Sequence, residues 1–461
     1  MREPSVGEHE FVHTERQPRN SVEFILLDLK EDTMTTTTTS DEAKAKGSMI
    51  EASARAAREA GRAVARLSSD TKDRVLRTLA DGIAAQADLI LEANAADVEA
   101  AREAGVGEAK IRRLVLTRES LGQLADGLRQ IAVMDDPVRK VTRSWDVESG
   151  LKVERVRTPL GVIAMIYEAR PGVTVDAFAL CFKAGNACLL KGGREANKSN
   201  QALATLAHAA LRQHGAPQTA LTLITTRDRD EIRHMLTLSD DIDLVIPRGG
   251  ENLIRFVHEH SRIPTVQHFE GVCHIFVDES ADLDDAVDLV ATAKTSNPAT
   301  CNTVECVLVH GAVADRFAPA LAARCAELGV EIRGDERFCA HAGAGVTPAT
   351  DADWGTEFLD LILAARVVDS IDDAIAHIER FGSDHTESIL TRDDANAERF
   401  RDEVTSSCVM VNASTRFNDG FQLGLGAEIG ISTSKVHWYG PMGLEGLTAE
   451  RFVVTGSGQR R

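Results

Sequence analysis

From Gly161 onward the chain alternates short apolar runs with longer stretches of helical periodicity, and that alternation restricts the fold more than any other feature. Gly161–Ile166, Ala187–Lys191, Ala220–Ile224 and Asp243–Pro247 read as strands, interleaved with helices over Val173–Ala184, Asn197–His214 and Glu251–His260. After Pro264 the pattern resumes, with strands over Cys273–Val277, Val304–Val309, Leu361–Val368, Glu387–Thr391 and Cys408–Val411. Strand, helix and strand in succession make a parallel crossover, so each series predicts a doubly wound α/β unit, its sheet covered on both faces. Two such units leave a cleft between them.

The flanking segments read differently. Residues 1–48 mix charges with the run Thr35–Thr39 and are predicted to be a disordered leader, inside which Met34 is an alternative start. Ala-rich helices are expected from Met49 to Ile131, one of them opened by Thr117 and carrying Leu121, Leu124, Leu128 and Ile131 on a single face. Leu151–Arg157 and Arg451–Thr455 read as short strands that would be bare edges in a monomer. Proteins avoid such edges, so a small β arm joining subunits of a homo-oligomer is expected.

Charge and cysteine usage exclude several classes of function. The 461 residues carry 71 acidic and 52 basic side chains, a formal charge of −19. That balance argues against nucleic acid or an anionic membrane as the main partner and leaves a small-molecule substrate. No run approaches the roughly 20 apolar residues of a membrane span. The 8 cysteines show neither a C-x-x-C pair nor zinc-ligand spacing, which fits a reduced, cytoplasmic compartment.

One cysteine stands apart. Leu283, Ala286, Val287, Val290 and Ala293 share a helix face behind an N-cap expected at Asp282, and Val304–Val309 reads as a buried strand. Between them Asn297, Pro298 and Thr300 spell a loop, so Cys301 lies on polar backbone at the mouth of a strand, where its thiol can meet substrate. Cys181, Cys188, Cys306 and Cys408 lie in apolar patterns instead.

Other motifs are weaker alone. In Lys191-Gly-Gly-Arg-Glu195, Gly192 and Gly193 let backbone approach a phosphate, and Lys191 with Arg194 suits a ribose 2′-phosphate; an ordinary turn with solvated charges is an equal reading. Gly249 and Gly250 form a second glycine turn on the same sheet edge. Glu270 is either a general base or an orienting carboxylate. His377 and His385 do not make a metal set, and no metal is expected. Arg416, beside Ser414 and Thr415, offers a guanidinium for a carboxylate or phosphate.

Taken together, Ile166-Tyr-Glu-Ala-Arg-Pro171, Val245-Ile-Pro-Arg-Gly-Gly250, Phe269-Glu-Gly-Val-Cys-His274, Lys294-Thr and Thr300-Cys-Asn302 resemble the gamma-glutamyl phosphate reductases of the aldehyde dehydrogenase superfamily. The resemblance continues through Trp354-Gly-Thr-Glu357, Gly382-Ser-Asp-His-Thr386, Val411-Asn-Ala-Ser-Thr-Arg-Phe417, Leu425-Gly-Ala-Glu-Ile-Gly-Ile431 and Gly440-Pro-Met-Gly-Leu444. It implies an NADPH-dependent reduction of L-glutamyl 5-phosphate to L-glutamate 5-semialdehyde, the second step of proline synthesis, through a thioester on Cys301. It further implies Glu357 on the nicotinamide ribose, Lys191 on the adenosine ribose or its phosphate, and association with glutamate 5-kinase. Arg170, Lys294, Asn302 and Arg416 are the candidates for substrate contacts. The implied domains are an NADP-binding domain over 49–144 and 158–268, a catalytic domain over 269–435, and the arm over 145–157 and 436–461.

The chain departs from the superfamily at the oxyanion-hole asparagine, where Glu168-Ala-Arg-Pro171 stands, leaving backbone N–H groups and Arg170 to meet developing charge. Glu270 falls near the superfamily's hydrolytic glutamate, a role that a reductase must suppress. Two other readings compete: an aldehyde-oxidising dehydrogenase with the same thiol, and a non-catalytic structural relative.

Overall fold

The computed structural model describes residues 40–266 and 270–461. Its strands, in chain order, are β1 (Val141–Asp146), β2 (Lys152–Pro159), β3 (Val162–Tyr167), β4 (Ala187–Lys191), β5 (Leu221–Leu223), β6 (Leu244–Arg248), β7 (Cys273–Val277), β8 (Val304–His310), β9 (Glu331–Gly334), β10 (Thr347–Pro348), β11 (Ile362–Val368), β12 (Thr386–Leu390), β13 (Cys408–Val411), β14 (Ile431–Ser432), β15 (Gly440–Pro441) and β16 (Thr448–Thr455).

Two parallel sheets form the body. The first has the order β5-β4-β3-β6 and the second β10-β9-β11-β8-β7-β12-β13. The whole of β3 is buried, as its unbroken run Val162-Ile-Ala-Met-Ile-Tyr167 requires of a strand covered on both faces. Along β7 the side chains sort by alternation: Ile275 and Val277 join one hydrophobic cluster with Val307, Phe317 and Leu321, while Phe276 joins another with Leu308, Ile389 and Phe400. Both faces of the second sheet are thus packed, and the α/β architecture is of the doubly wound kind.

In the first sheet β4 and β5 extend one way from β3 and β6 lies on the other side. The strand order therefore reverses between β3 and β6, where the diverging connections open a crevice at the carboxyl ends. Arg170 follows β3, and Arg248 closes β6.

N-terminal to β1 run helices over Ser40–Val64, Ser69–Ala85, Ala87–Glu103, Glu108–Leu114 and Arg118–Val133. The first opens inside the segment read as leader; residues 1–39, the rest of that expectation, lie outside the described residues. Thr117 caps the last of these helices, accepting from Ser120 N–H while the Ser120 hydroxyl accepts from Thr117 N–H.

The remaining sheet is β1-β2-β16, antiparallel throughout. It begins at Val141, earlier than the arm's expected start, because β1 pairs with β2 along almost its full length. Part of the segment expected in this arm lies elsewhere: Met442, Leu444 and Leu447 are buried in the core of the first α/β unit, as are Ala427 and Ile429 from the span expected in the catalytic domain. Apolar side chains in a Gly-rich tail had no visible partner in the sequence; here they cap that core.

Candidate active site

Cys301 is held from several sides. The helix Leu283–Thr295, capped by Asp282, delivers the chain to the loop, and Thr300 and Thr303 both donate their hydroxyls to Asn297 O, at 3.0 and 2.6 Å. Asn302 is buried and its side-chain amide donates to Asn418 O at 3.0 Å. Cys273 Sγ donates to Cys301 O at 3.1 Å. Gly271 backs directly onto the residue: a Cβ there would lie 2.1 Å from Cys301 O and 2.7 Å from Cys301 Cα. Only glycine permits that approach.

The thiol is not activated by its resting surroundings. Burial pushes Cys301 up to about 11; Arg248 pulls it down, and the carboxylates of Glu357 and Glu428 add to the rise. Lys294, expected to face substrate, is instead completely buried with its Nζ 2.5 Å from Glu305 Oε2. An ammonium taken out of water needs such a counter-ion, so its charge is spent beneath the loop. Arg248 is the cation that most favours the thiolate, a role the sequence does not show although it shows the motif. Arg416 braces the loop, donating to Ser296 Oγ at 3.1 Å and Thr300 Oγ1 at 2.6 Å.

A cavity of about 310 Å³ lies at the β3–β6 crevice, and its lining includes Arg113, Arg170, Asp176, Arg248 and Glu428. Burial lowers Arg170, and the nearby guanidiniums of Arg113 and Arg248 lower it further, while the Cys301 thiolate would support its charge. Three guanidiniums gathered in one cavity repel one another until an anion arrives. Arg113 comes from the short helix Glu108–Leu114, far from the other motifs in sequence, and nothing in its local pattern marked it.

The cofactor candidates line the carboxyl edge of the first sheet. Lys191 Nζ donates to Gly192 O at 2.6 Å. Its charge is disfavoured by burial, supported by Glu195 and opposed by Arg227, which follows β5 and was also unforeseen. Gly192 has a packing reason to be glycine, since a Cβ would meet Asn200 Nδ2 at 2.1 Å and the Tyr167 ring at 3.1 Å. Arg194 is exposed, with no hydrogen-bond or ion-pair partner among the described residues. Gly250 caps the helix Glu251–His260, and its N–H donates to Glu168 Oε2 at 3.2 Å; Gly249 packs against the same Glu168. Glu357 is raised by burial while accepting from Gly271 N–H, which brings its carboxylate beside the thiol loop. Glu270 is exposed and neighbours Glu357.

His274, Cys306 and His377 place a nitrogen or sulfur within 4.8 Å of one another, fully inside the second unit. Arg366 can only donate, so at 3.0 Å it fixes His377 Nδ1 as an acceptor and leaves the proton on Nε2, 3.7 Å from Cys306 Sγ. A cation would need that same Nε2 lone pair. His274 is held by Glu387 at 3.0 Å. The cluster is a hydrogen-bonded core.

The model of the aldehyde dehydrogenase family matches residues 29–350. A gamma-glutamyl phosphate reductase of Xylella fastidiosa (strain 9a5c) is 54% identical over 404 residues, 88% of this chain and 97% of the relative. The chain belongs to the aldehyde dehydrogenase family, among its gamma-glutamyl phosphate reductases. The reductase of Xanthomonas campestris pv. campestris (strain 8004) is 53% identical over the same share of each chain. The crystal structure of the Thermotoga maritima gamma-glutamyl phosphate reductase superposes with a TM-score of 0.87 at 42% identity, covering 89% of this chain and 99% of that one. The acetylating aldehyde dehydrogenase of Geobacillus thermoglucosidasius, at 16% identity and a TM-score of 0.64, shares the fold. As an aldehyde dehydrogenase family member the chain is an oxidoreductase, and no helix among its described residues is long and apolar enough to cross a membrane.

Proposed function

We propose that the chain catalyses the NADPH-dependent reduction of L-glutamyl 5-phosphate to L-glutamate 5-semialdehyde and phosphate, the second step of proline synthesis from glutamate. The observation that carries this reading is a loop thiol within electrostatic reach of Arg170 and Arg248, two guanidiniums of one cavity, in a chain so similar to named reductases of this kind. Cys301 attacks the acyl carbon as thiolate. The C–O bond to phosphate then breaks with its electron pair, leaving a thioester. Arg248 and Arg170 offset the charge of the acyl phosphate, and the arriving anion relieves their mutual repulsion. The nicotinamide cofactor, when bound, supplies the hydride that reduces the thioester. The resulting hemithioacetal oxyanion expels the Cys301 thiolate, and the aldehyde leaves.

Lys191 and Arg227 fit the phosphorylated ribose of such a cofactor, because the two cations lie near each other and each would be offset by its phosphate. Gly249, Gly250 and the helix N-terminus at Glu251 suit its pyrophosphate. Glu357 takes a ribose hydroxyl beside the thiol loop. The unpaired edges of β1 and β16 assemble a homo-oligomer.

The test is phosphate-dependent reduction of NADP with 1-pyrroline-5-carboxylate as the source of semialdehyde. Cys301→Ala should abolish turnover while leaving NADPH binding intact, and Cys306→Ala should remain active. Turnover that ignores phosphate would instead indicate aldehyde oxidation and overturn the reading.

A further inference from the structure

The cavity lined by Arg170 and Arg248 contains a group that acyl-phosphate chemistry does not call for. A carboxylate in its wall would repel the phosphate, yet Asp176 lines the same cavity as Arg113, Arg170 and Arg248. Asp176 stands in the first turn of the helix Val173–Lys183, open to the cavity, with no hydrogen-bond or ion-pair partner among the described residues. The crowding of its surroundings alone lifts it to about 7; no guanidinium draws it back down. Glu428, the other carboxylate of the lining, is differently placed. It accepts from Gly420 N–H at 3.0 Å and is pulled down by Arg248. Glu428 is occupied and Asp176 is free.

The guanidiniums are sorted too. Arg248 and Arg170 interact with the Cys301 charge, whereas Arg113 interacts with Arg170. Two of the cavity's guanidiniums, Arg170 and Arg248, are thus coupled to the thiol, and Arg113 is coupled to Arg170. We infer that this cavity reads an α-amino acid: Asp176 takes the substrate's α-ammonium group and Arg113 its α-carboxylate, leaving Arg170 and Arg248 for the acyl phosphate beside Cys301. The inference rests on the proposed reaction and adds the groups that recognise the far end of the substrate. It moves the α-carboxylate away from Arg416, whose donors brace the thiol loop.

The physical argument is one of satisfaction. Asp176 is exposed to the open cavity; a substrate that fills the cavity cuts the carboxylate off from water, and the substrate's ammonium offsets that cost with a charge-assisted hydrogen bond. A substrate lacking the amine leaves Asp176 bare, and sites built for a polar group reject analogues without it far more strongly than apolar pockets do. Asp176 is thus a specificity-determining residue.

The test compares glutamate 5-semialdehyde with glutaric semialdehyde, the same chain without the amine, in phosphate-dependent NADP reduction. Asp176→Asn keeps the shape and removes the charge. With the amino substrate, kcat/KM should fall on the order of 30-fold, chiefly through KM, while the amine-free substrate loses less than about 3-fold. Arg113→Met should weaken both substrates alike, since both carry the carboxylate. Equal loss for the two substrates in Asp176→Asn, or no loss, overturns the inference, with melting temperature and NADP binding as checks on folding. Should the wild type turn over neither substrate, the proposed reaction fails separately. Calorimetry with L-glutamate and glutarate then decides the pocket: a preference for glutamate that vanishes in Asp176→Asn supports it, and equal binding refutes it.

Discussion

In a Gly271→Ala variant the new methyl carbon would sit 2.1 Å from Cys301 O, 2.7 Å from its Cα and 2.8 Å from its carbonyl carbon. Real Cβ contacts do not fall below 3.0 Å, so the two segments must part by about 1 Å. All three atoms are backbone, and no side chain can rotate away. The Cys301 loop is also pinned from beyond, by Thr303 on Asn297 and by Asn302 on Asn418, so the displacement falls on the thiol itself. Misplacing a reacting group by about 1 Å costs on the order of 100-fold in rate, whereas overpacking one methyl costs about 1–3 kcal/mol of stability. The expected outcome is a folded protein, slightly lower in Tm, that retains NADPH affinity and loses about two decades of kcat in the phosphate-dependent assay. Iodoacetamide should still label Cys301, showing that the thiol survives. A variant with kcat within about 3-fold of wild type and an unchanged Tm would refute the claim that Gly271 fixes the nucleophile.

Arg248→Met should move the pH midpoint of Cys301 alkylation upward. Its guanidinium favours the thiolate, so removing it raises a thiol already near 11 and slows labelling at any fixed pH below that; an unmoved midpoint would exclude Arg248 as the partner. Arg227→Ala should weaken binding of 2′,5′-ADP on the order of 10-fold by calorimetry, and Arg194→Glu should lower the NADPH/NADH preference in paired kinetics. Unchanged affinity and selectivity in both would remove the phosphate from this edge. Phe452→Asp, on an exposed face of β16, should shift sedimentation toward smaller species, while an undisturbed assembly would place the subunit contact elsewhere.

The sheets were legible in the sequence because their strands are apolar and bounded by turns: Ala187–Lys191, Cys273–Val277 and Cys408–Val411 were read with the residues they occupy. By contrast, β9, four residues of which only Ile332 and Gly334 are buried, offers no such run. At the site, Cys301 announced itself by local setting. Arg113 and Asp176 could not, since one lies on an unremarkable seven-residue helix and the other in an apolar one, and only the tertiary fold brings them together. Lys294 shows the opposite case. A lysine beside a reactive loop suggests an anion site, but its partner Glu305 lies within the following strand, and helix-to-strand packing turns the ammonium inward.

The arm has a consequence for how the chain matures. β2 pairs with β1 across a short hairpin and with β16 from the opposite end of the chain, and Arg157 on β2 is tied to Glu445 while Asn186 Nδ2 donates to Leu447 O. Until β16 has been synthesised, one flank of β2 stays an open template, exposed throughout the time that both α/β units emerge. Contacts of such sequence separation form late and slowly. A stalled or truncated chain would therefore carry a sticky edge beside two completed α/β units, and quality control of this enzyme should depend on the last strand more than on the core.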